Sequence, residues 1–226
     1  MRFVDRSEAG RVLAGKLAAY AGRRDLLVLA LPRGGVPVAF EVAQALQAPL
    51  DVFLVRKLGV PGHEELAMGA IASGGVRFVN WDVMQQIGIP NSALDAATES
   101  ARQELMRCEK AYRSNLPPQQ VAGRRIILVD DGIATGASMR AAVRGLSSLN
   151  PAGIVVAVPV ASAEACADLR PEAEEVICAY VPEHFAAVSL WYDNFSQTSD
   201  EEVRCLLEAA QTTKIPRTTN DRKNSL

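Results

Sequence analysis

Two kinds of hydrophobic pattern alternate along this chain. Residues 26–31, 126–129 and 154–160 are continuous apolar runs, and 51–55 and 175–181 are shorter or more mixed versions of the same thing. Such runs are what a strand covered on both faces requires. Between them, residues 7–21, 36–46, 139–149, 163–169 and 200–210 place apolar side chains at helical spacing, as with Ala9, Val12, Leu13, Leu17 and Tyr20. Asp5 or Ser7 is placed to cap the first of these helices, and Ser199 or Asp200 the last. Strands alternating with helices predict an α/β fold, a mainly parallel sheet with helices on both faces. Sheets of that kind bind ligands beyond the carboxyl ends of their strands.

Three regions interrupt the alternation. The strand over 51–55 ends at Arg56-Lys57, and 59–65, rich in Gly and Pro, reads as a mobile loop. Residues 67–72 and 76–80 flank Ser73-Gly74-Gly75 as a hairpin. Asn91-Ser92 then caps a long polar helix from Ala93 to about Arg113, closing at Asn115 and Pro117-Pro118. Its charges (Glu99, Arg102, Glu104, Arg107, Glu109, Lys110) read as a solvated face on an insertion over the core. Residues 185–195 are aromatic-rich and irregular, and the end of the chain, polar and basic without periodicity, reads as a disordered tail.

Composition narrows the function classes. Of 226 residues, 49% are hydrophobic and 22% charged, ordinary for one globular α/β domain. A net charge of −2 gives no basic surface for nucleic acid. No apolar run approaches the roughly 18–20 residues of a membrane span, and Met-Arg-Phe-Val-Asp at the start lacks a signal-peptide core. Cys108, Cys166, Cys178 and Cys205 form no C-x-x-C pair, and two histidines make a zinc site unexpected. The reading is a reduced, cytoplasmic protein in which the cysteines are small core or surface residues.

The chemistry gathers at Arg125-Ile-Ile-Leu-Val-Asp-Asp-Gly-Ile-Ala-Thr-Gly-Ala-Ser138. An apolar strand, two carboxylates, a small-residue loop and a helix start follow one another. Amide groups at a helix start attract anions, which two aspartates would repel. A sugar phosphate resolves the conflict: carboxylates accept from ribose hydroxyls while the loop holds the phosphate. No lysine follows Gly136, so this is not a P-loop, and the acids precede the glycines, so it is not a dinucleotide fingerprint.

Ile127-Leu-Val-Asp-Asp-Gly-Ile-Ala-Thr-Gly-Ala-Ser138 resembles the phosphoribosyl-pyrophosphate (PRPP) signature of the type I phosphoribosyltransferases. Leu31-Pro-Arg-Gly-Gly35 is similar to their pyrophosphate loop, and Val55-Arg-Lys57 to a basic strand end, so the likeness spans about residues 26–160. More closely, the three motifs together resemble a bacterial subfamily of predicted phosphoribosyltransferases with no named acceptor. The resemblance implies the type I fold in a single domain over 1–211, with a helical insertion at about 81–118, a hood at about 180–200, and the tail over 212–226.

By that resemblance Asp130 and Asp131 hold the ribose diol, while Gly132, Ile133, Ala134, Thr135, Gly136, Ala137 and Ser138 wrap the 5′-phosphate. Arg33, Gly34 and Gly35 hold pyrophosphate, with a cis peptide at Pro32–Arg33, and Arg56 and Lys57 add positive charge beside a closing lid. Arg56 also reads as a solvated strand end. Asp130, Asp131, Arg33 and Lys57 are the implied catalytic set. A cation-like ribose requires negative charge near the ring and positive charge at the leaving group. Mg²⁺ held by PRPP oxygens and water, with no protein ligand, supplies part of the latter.

The implied reaction moves 5-phosphoribose from PRPP to a nitrogenous base, with a non-catalytic PRPP- or nucleotide-binding regulator and a phosphoribosyl hydrolase as alternatives. Implied partners are PRPP, a small base and a second copy in a homodimer, without nucleic acid or membrane. Ala134 stands where oxopurine-specific relatives carry an aspartate, so a general base must come from elsewhere, with Glu64 or Glu65 nearest in sequence and His63 beside them. Phe185, Trp191, Tyr192 and Phe195 could stack on a base or pack against the final helix.

Overall fold

The continuous apolar runs become the strands of a five-stranded parallel sheet. In chain order the elements are α1 (Arg6–Lys16), β1 (Leu26–Ala30), α2 (Gly35–Leu46), β2 (Leu50–Val52), β3 (Val55–Val60), β4 (His63–Ala72), β5 (Arg77–Val79), α3 (Trp81–Ile87), α4 (Asn91–Arg113), β6 (Arg125–Val129), α5 (Ala137–Ser147), β7 (Gly153–Val160), α6 (Ala163–Leu169), β8 (Glu175–Tyr180) and α7 (Asp200–Thr212). The computed structural model describes residues 2–113 and 117–212, without the side chains of Glu64, Glu65 and Thr212. The predicted helix close at Asn115 and the tail beyond residue 212 lie outside the described residues.

The sheet order is β2-β1-β6-β7-β8. Alternate residues of each strand feed two separate cores. Val28, Ala30, Ile127, Val129, Val155 and Ala157 pack with α1, α2 and α7. Leu27, Leu29, Ile126, Leu128, Val156 and Val158 pack with α5 and α6. Burial on both faces is why these strands read as unbroken apolar runs. The chain passes from β1 outward to β2, then returns to β6 on the other side of β1 and continues outward to β8. The switch in direction falls between β1 and β6, where an open α/β sheet leaves a crevice. Register pairs Ala30 with Val129, so the segments leaving β1 and β6 emerge side by side there.

The structure corrects two expectations between residues 51 and 65. The apolar run at 51–55 is not one strand: β2 ends at Val52 in the parallel sheet, and β3 starts at Val55 in a separate antiparallel sheet of order β3-β4-β5. Leu54 is turned by Ser73, whose hydroxyl accepts its amide at 3.0 Å and whose amide donates to its carbonyl at 2.8 Å. Nor is 59–65 a loop. Val60 pairs with His63 across Pro61-Gly62, and Gly62 takes a φ of 79°. Proline followed by a positive-φ glycine is hairpin-turn chemistry, which the Gly and Pro content alone did not distinguish from an open loop. The second hairpin forms as expected around Ser73-Gly74-Gly75.

Within the predicted insertion, α3 is an additional helix capped by Asn80, which accepts from the Val83 amide. The following helix, α4, is more than a solvated face, because Leu94, Leu105, Cys108 and Tyr112 are buried. Its last residue, Arg113, is buried too, and pairs with Asp51 of β2 at 2.9 Å.

Candidate active site

The β1 and β6 ends are each followed by a helix whose first turn lacks a side-chain cap: α2 after Gly34, and α5 after Gly136. Amides in an uncapped first turn favour negative charge; at α2 the Gly35 and Val36 amides already donate to the Leu31 and Arg33 carbonyls at 3.1 Å. Asp130 and Asp131 stand between them. The two loops touch: a Cβ on Gly34 would overlap the Asp131 carboxylate, and one on Gly35 would lie 2.9 Å from Asp130 Cα and from Val129 O. Glycine is therefore required here for close approach to the acids themselves, before any ligand is considered. The Pro32–Arg33 peptide that leads into this contact is cis, as the resemblance implies.

The two carboxyl groups are not equivalent. Burial, and then the charge of Asp131, push Asp130 well above the usual carboxylate range, against the Asp131 amide donated to its Oδ1 at 2.8 Å. Burial also raises Asp131, but the Arg6 guanidinium opposes it, with Nε 2.8 Å from Oδ2. Arg6 and Asp131 side chains are only 11% and 15% exposed, so solvent screens this pair weakly. Both carboxyls are raised, but Arg6 keeps Asp131 the more readily ionised of the two, and Asp130 takes up a proton first.

Arg6 was missed in the sequence, where one arginine in a polar first turn carries no signal. Its Nη1 also donates to the Ser196 carbonyl at 2.7 Å, and its guanidinium lies 4.0 Å over the Phe195 ring.

The loop over residues 132–138 is supported from beneath. Ile133 bridges Ala161 and donates to the Val160 carbonyl at 2.9 Å, while Ser162 donates its hydroxyl to Ala134 O at 2.8 Å and its amide to Ile133 O at 3.0 Å. Gly136 turns the chain at a φ of 73° and rests on Ala165 and Leu169 of α6. Gly132 lies beneath Val188, within the single helical turn Val188–Trp191, where a Cβ would meet it at 2.6 Å. Ala134, Thr135 and Ser138 are exposed, Gly132 and Ala137 half-buried, and Ile133 and Gly136 buried.

The basic residues are dispersed. Arg33 Nη1 is 3.5 Å from Asp200 Oδ1 at the start of α7, and the Tyr112 hydroxyl donates to the same oxygen at 3.0 Å. Arg56 and Lys57 are adjacent on β3, so the pleat turns them to opposite faces. Arg56 points at α4, 3.5 Å from Glu104 and 3.3 Å from the Cys108 sulfur; Lys57 is exposed on the other face. His63 is exposed at the hairpin turn. Glu64 and Glu65, the candidate bases, have side chains outside the described residues.

The aromatics mostly serve packing, and not against the final helix as one expectation had it. Tyr192 is buried between Phe3 and Phe195, with ring centroids at 5.5 and 5.0 Å, and its hydroxyl donates to the Asp131 carbonyl. Burial, and then the Asp131 charge, push that hydroxyl's pKa far up, so it stays a donor. Trp191 meets Tyr180 edge-on at 5.1 Å. Only half-buried Phe185, Trp191 and Phe195 retain surface for a planar ligand.

Among the described residues no three His, Cys, Asp or Glu side chains converge on a metal position. The donor set, two adjacent carboxylates with one neutralised by Arg6, suits a hard cation that brings its own oxygen ligands rather than one caged by protein. No helix among the described residues is long and apolar enough to cross a membrane.

Similar proteins carry the same fold. Two curated relatives from Mycobacterium tuberculosis, strains CDC 1551 and H37Rv, both named provisionally as phosphoribosyl transferases, are 46% identical over 208 residues, 92% of this chain and 47% of theirs. The chain spans about half the length of these relatives. The crystal structure of TT1426 from Thermus thermophilus is 44% identical, covers 92% of this chain and 98% of its own, and superposes with a TM-score of 0.82. Residues 6–191 match the family described as the phosphoribosyl transferase domain, and this chain belongs to that family.

Proposed function

We propose that this protein transfers 5-phosphoribose from PRPP to a nitrogenous base and releases pyrophosphate. One observation carries the reading: the Asp130-Asp131 pair sits at the switch between β1 and β6, flanked by the uncapped starts of α2 and α5. PRPP has the matching shape, an anion at each end and a diol between.

In this reading Asp131, kept the more readily ionised by Arg6, accepts from the ribose hydroxyls, and Asp130 accepts beside it. Gly132, Ile133, Ala134, Thr135, Gly136, Ala137 and Ser138 surround the 5′-phosphate, with the amides at the α5 start pointing toward it. Arg33, Gly34 and Gly35 take the pyrophosphate, for which Arg33 exchanges Asp200 for a phosphate oxygen. Lys57 adds charge from β3, and Arg56 can join only by leaving Glu104. As the C1′–pyrophosphate bond breaks, the two carboxylates lie near the positive ring and the basic groups near the leaving anion. Mg²⁺, if bound mainly by ligand oxygens and water, would supply further neutralisation of that anion. The same reading includes a homodimer, which light scattering on the eluted protein tests.

Following pyrophosphate release from PRPP and Mg²⁺ over a panel of bases is the direct experiment. Release that depends on one base supports transfer. Release without any base identifies a hydrolase, and PRPP binding without release under any base identifies a regulatory binder. Asp131→Asn is expected to abolish turnover while the fold persists; full activity in that variant would remove the diol assignment.

A further inference from the structure

Two of the four cysteines meet in space. Cys166 on α6 and Cys178 on β8 have sulfur atoms 2.8 Å apart. That is inside the ~3.5–4.0 Å at which even carbon atoms rest in contact, and sulfur is larger. The other two thiols differ: Cys108 lies against Arg56 and Glu104, and Cys205 is exposed on α7 beside Glu201. Cys166 is buried and Cys178 half-buried.

We propose that Cys166 and Cys178 form a redox-active dithiol, closed to a disulfide by a small hydroperoxide such as hydrogen peroxide. The assignment rests on the approach of the two sulfurs and is independent of the phosphoribosyl transfer reading. Electrostatics give the order of events. The hydrogen bond shared with Cys178, helped by the charge of Arg170, lowers the Cys166 thiol to about 7, while that same bond and burial hold Cys178 high. Cys166 is therefore the thiolate near neutral pH, and the thiolate is the nucleophile.

The Cys166 sulfur attacks one peroxide oxygen, the O–O bond breaks, and hydroxide leaves to be protonated, giving a sulfenic acid. The Cys178 sulfur then attacks Cys166, its proton goes to the departing hydroxyl, and water is released. Overall two thiols are oxidised, one peroxide is reduced to two waters, and one S–S bond forms. A small oxidant matters because Cys166 is 6% exposed. The partner for the second step is already in contact, so closure competes well with further oxidation of the sulfenic acid. The bond would tie α6 to β8, and α6 is the helix on which Gly136 rests and which Ser162 caps.

The test is exposure of the full chain to hydrogen peroxide at neutral pH, quenching with N-ethylmaleimide in denaturant, and mass analysis without reduction. Cleavage after glutamate cuts at Glu172 and Glu175, between the two cysteines. The expected result is a chain carrying two N-ethylmaleimide groups, on Cys108 and Cys205, in place of the four on the reduced chain, with two hydrogens lost to a linked peptide pair containing Cys166 and Cys178. In Cys178→Ser, dimedone should trap a sulfenic acid at Cys166; in Cys166→Ser, Cys178 should stay reduced. Alkylation of all four cysteines after peroxide, or oxidation spread over them without the linked pair, overturns the proposal.

Discussion

Arg6 Nε donates to Asp131 Oδ2 at 2.8 Å, joining the first helix to the carboxyl end of the central strand β6. Arg6 also holds Ser196 and stacks on Phe195, so it connects that carboxylate to the segment covering the loop. The pair sets which of two adjacent acids is charged. Removing the cation by Arg6→Gln should raise Asp131 further. Because the ionised form is the one that accepts from hydroxyls, activity is lost as pH falls through that value. The acid limb of PRPP-dependent turnover should therefore move up by about 1–3 pH units, with Arg6→Lys restoring part of the shift. A limb that stays in place would show that Arg6 does not control the acid.

Gly34 has no room for a methyl group. Gly34→Ala drives a carbon into the Asp131 carboxylate, which must leave Arg6 or push the Arg33 loop away. Thermal unfolding should show a loss of about 1–3 kcal/mol, the ordinary cost of overpacking, and PRPP binding should fall with it. Unchanged unfolding and binding would contradict the close approach.

Asp130 gives a stability test with a definite sign. Its folded-state value is raised, so between the ordinary carboxylate value and the raised one the folded chain binds more protons than the unfolded chain. Stability from this group is fully present below the ordinary value and is lost as pH rises through the raised one. An amide cannot ionise. Asp130→Asn should therefore melt at higher temperature than the parent at pH 7 and lose that advantage below about pH 4, while losing turnover. A variant less stable at neutral pH would sink the assignment of strain to this carboxylate.

Arg33 is shared between Asp200 and any incoming anion. Both side chains are more than a third exposed, so the pair is worth only about 0.2–1 kcal/mol. Asp200→Asn keeps an acceptor for Tyr112 but removes the competing charge. PRPP affinity, measured by calorimetry at low salt, should rise by no more than about fivefold, the factor that ~1 kcal/mol sets. Weaker binding would mean that Asp200 helps hold the ligand.

Asp51 and Arg113, each 8% exposed, fasten α4 to β2. Asp51 Oδ2 also accepts from the Gln119 amide and Oδ1 from the Val52 amide, and Arg113 Nη2 donates to the Val52 carbonyl. Asp51→Ala removes the buried carboxylate and leaves the guanidinium with Glu109 at 3.2 Å, and should cost about 1.5–3 kcal/mol in denaturant unfolding. Replacing Arg113 with Met as well should recover part of that loss. Equal stability for parent and single variant would mean that the pair is not desolvated in solution.

Sequence reading succeeded where one short stretch carries all the physics. Leu26 to Ala30 and Ile126 to Val129 are apolar at every position because both faces of each strand are covered, and no helix of a mixed surface looks like that. The Asp-Asp loop was legible for the same reason: acids, small residues and a helix start adjoin one another in the chain. Local pattern misleads at 51–65, where Leu54 is bent by Ser73 and a Pro-Gly pair makes a hairpin turn rather than an open loop. A run of four apolar residues, Val52 to Val55, does not state which of two sheets it joins.

By itself, then, the sequence determined the alternating strands and helices, the parallel sheet, and the position of the two acids and the small-residue loop after them, all set by interactions within a few residues. Tertiary structure alone decided that Arg6 pairs with Asp131 across 125 residues, that Asp51 holds Arg113 across 62, and that Cys166 meets Cys178 on a neighbouring element. Charges and thiols change their chemistry through whatever lies within a few ångströms. For these residues the neighbours are chosen by how helices cross the sheet, which no local pattern records.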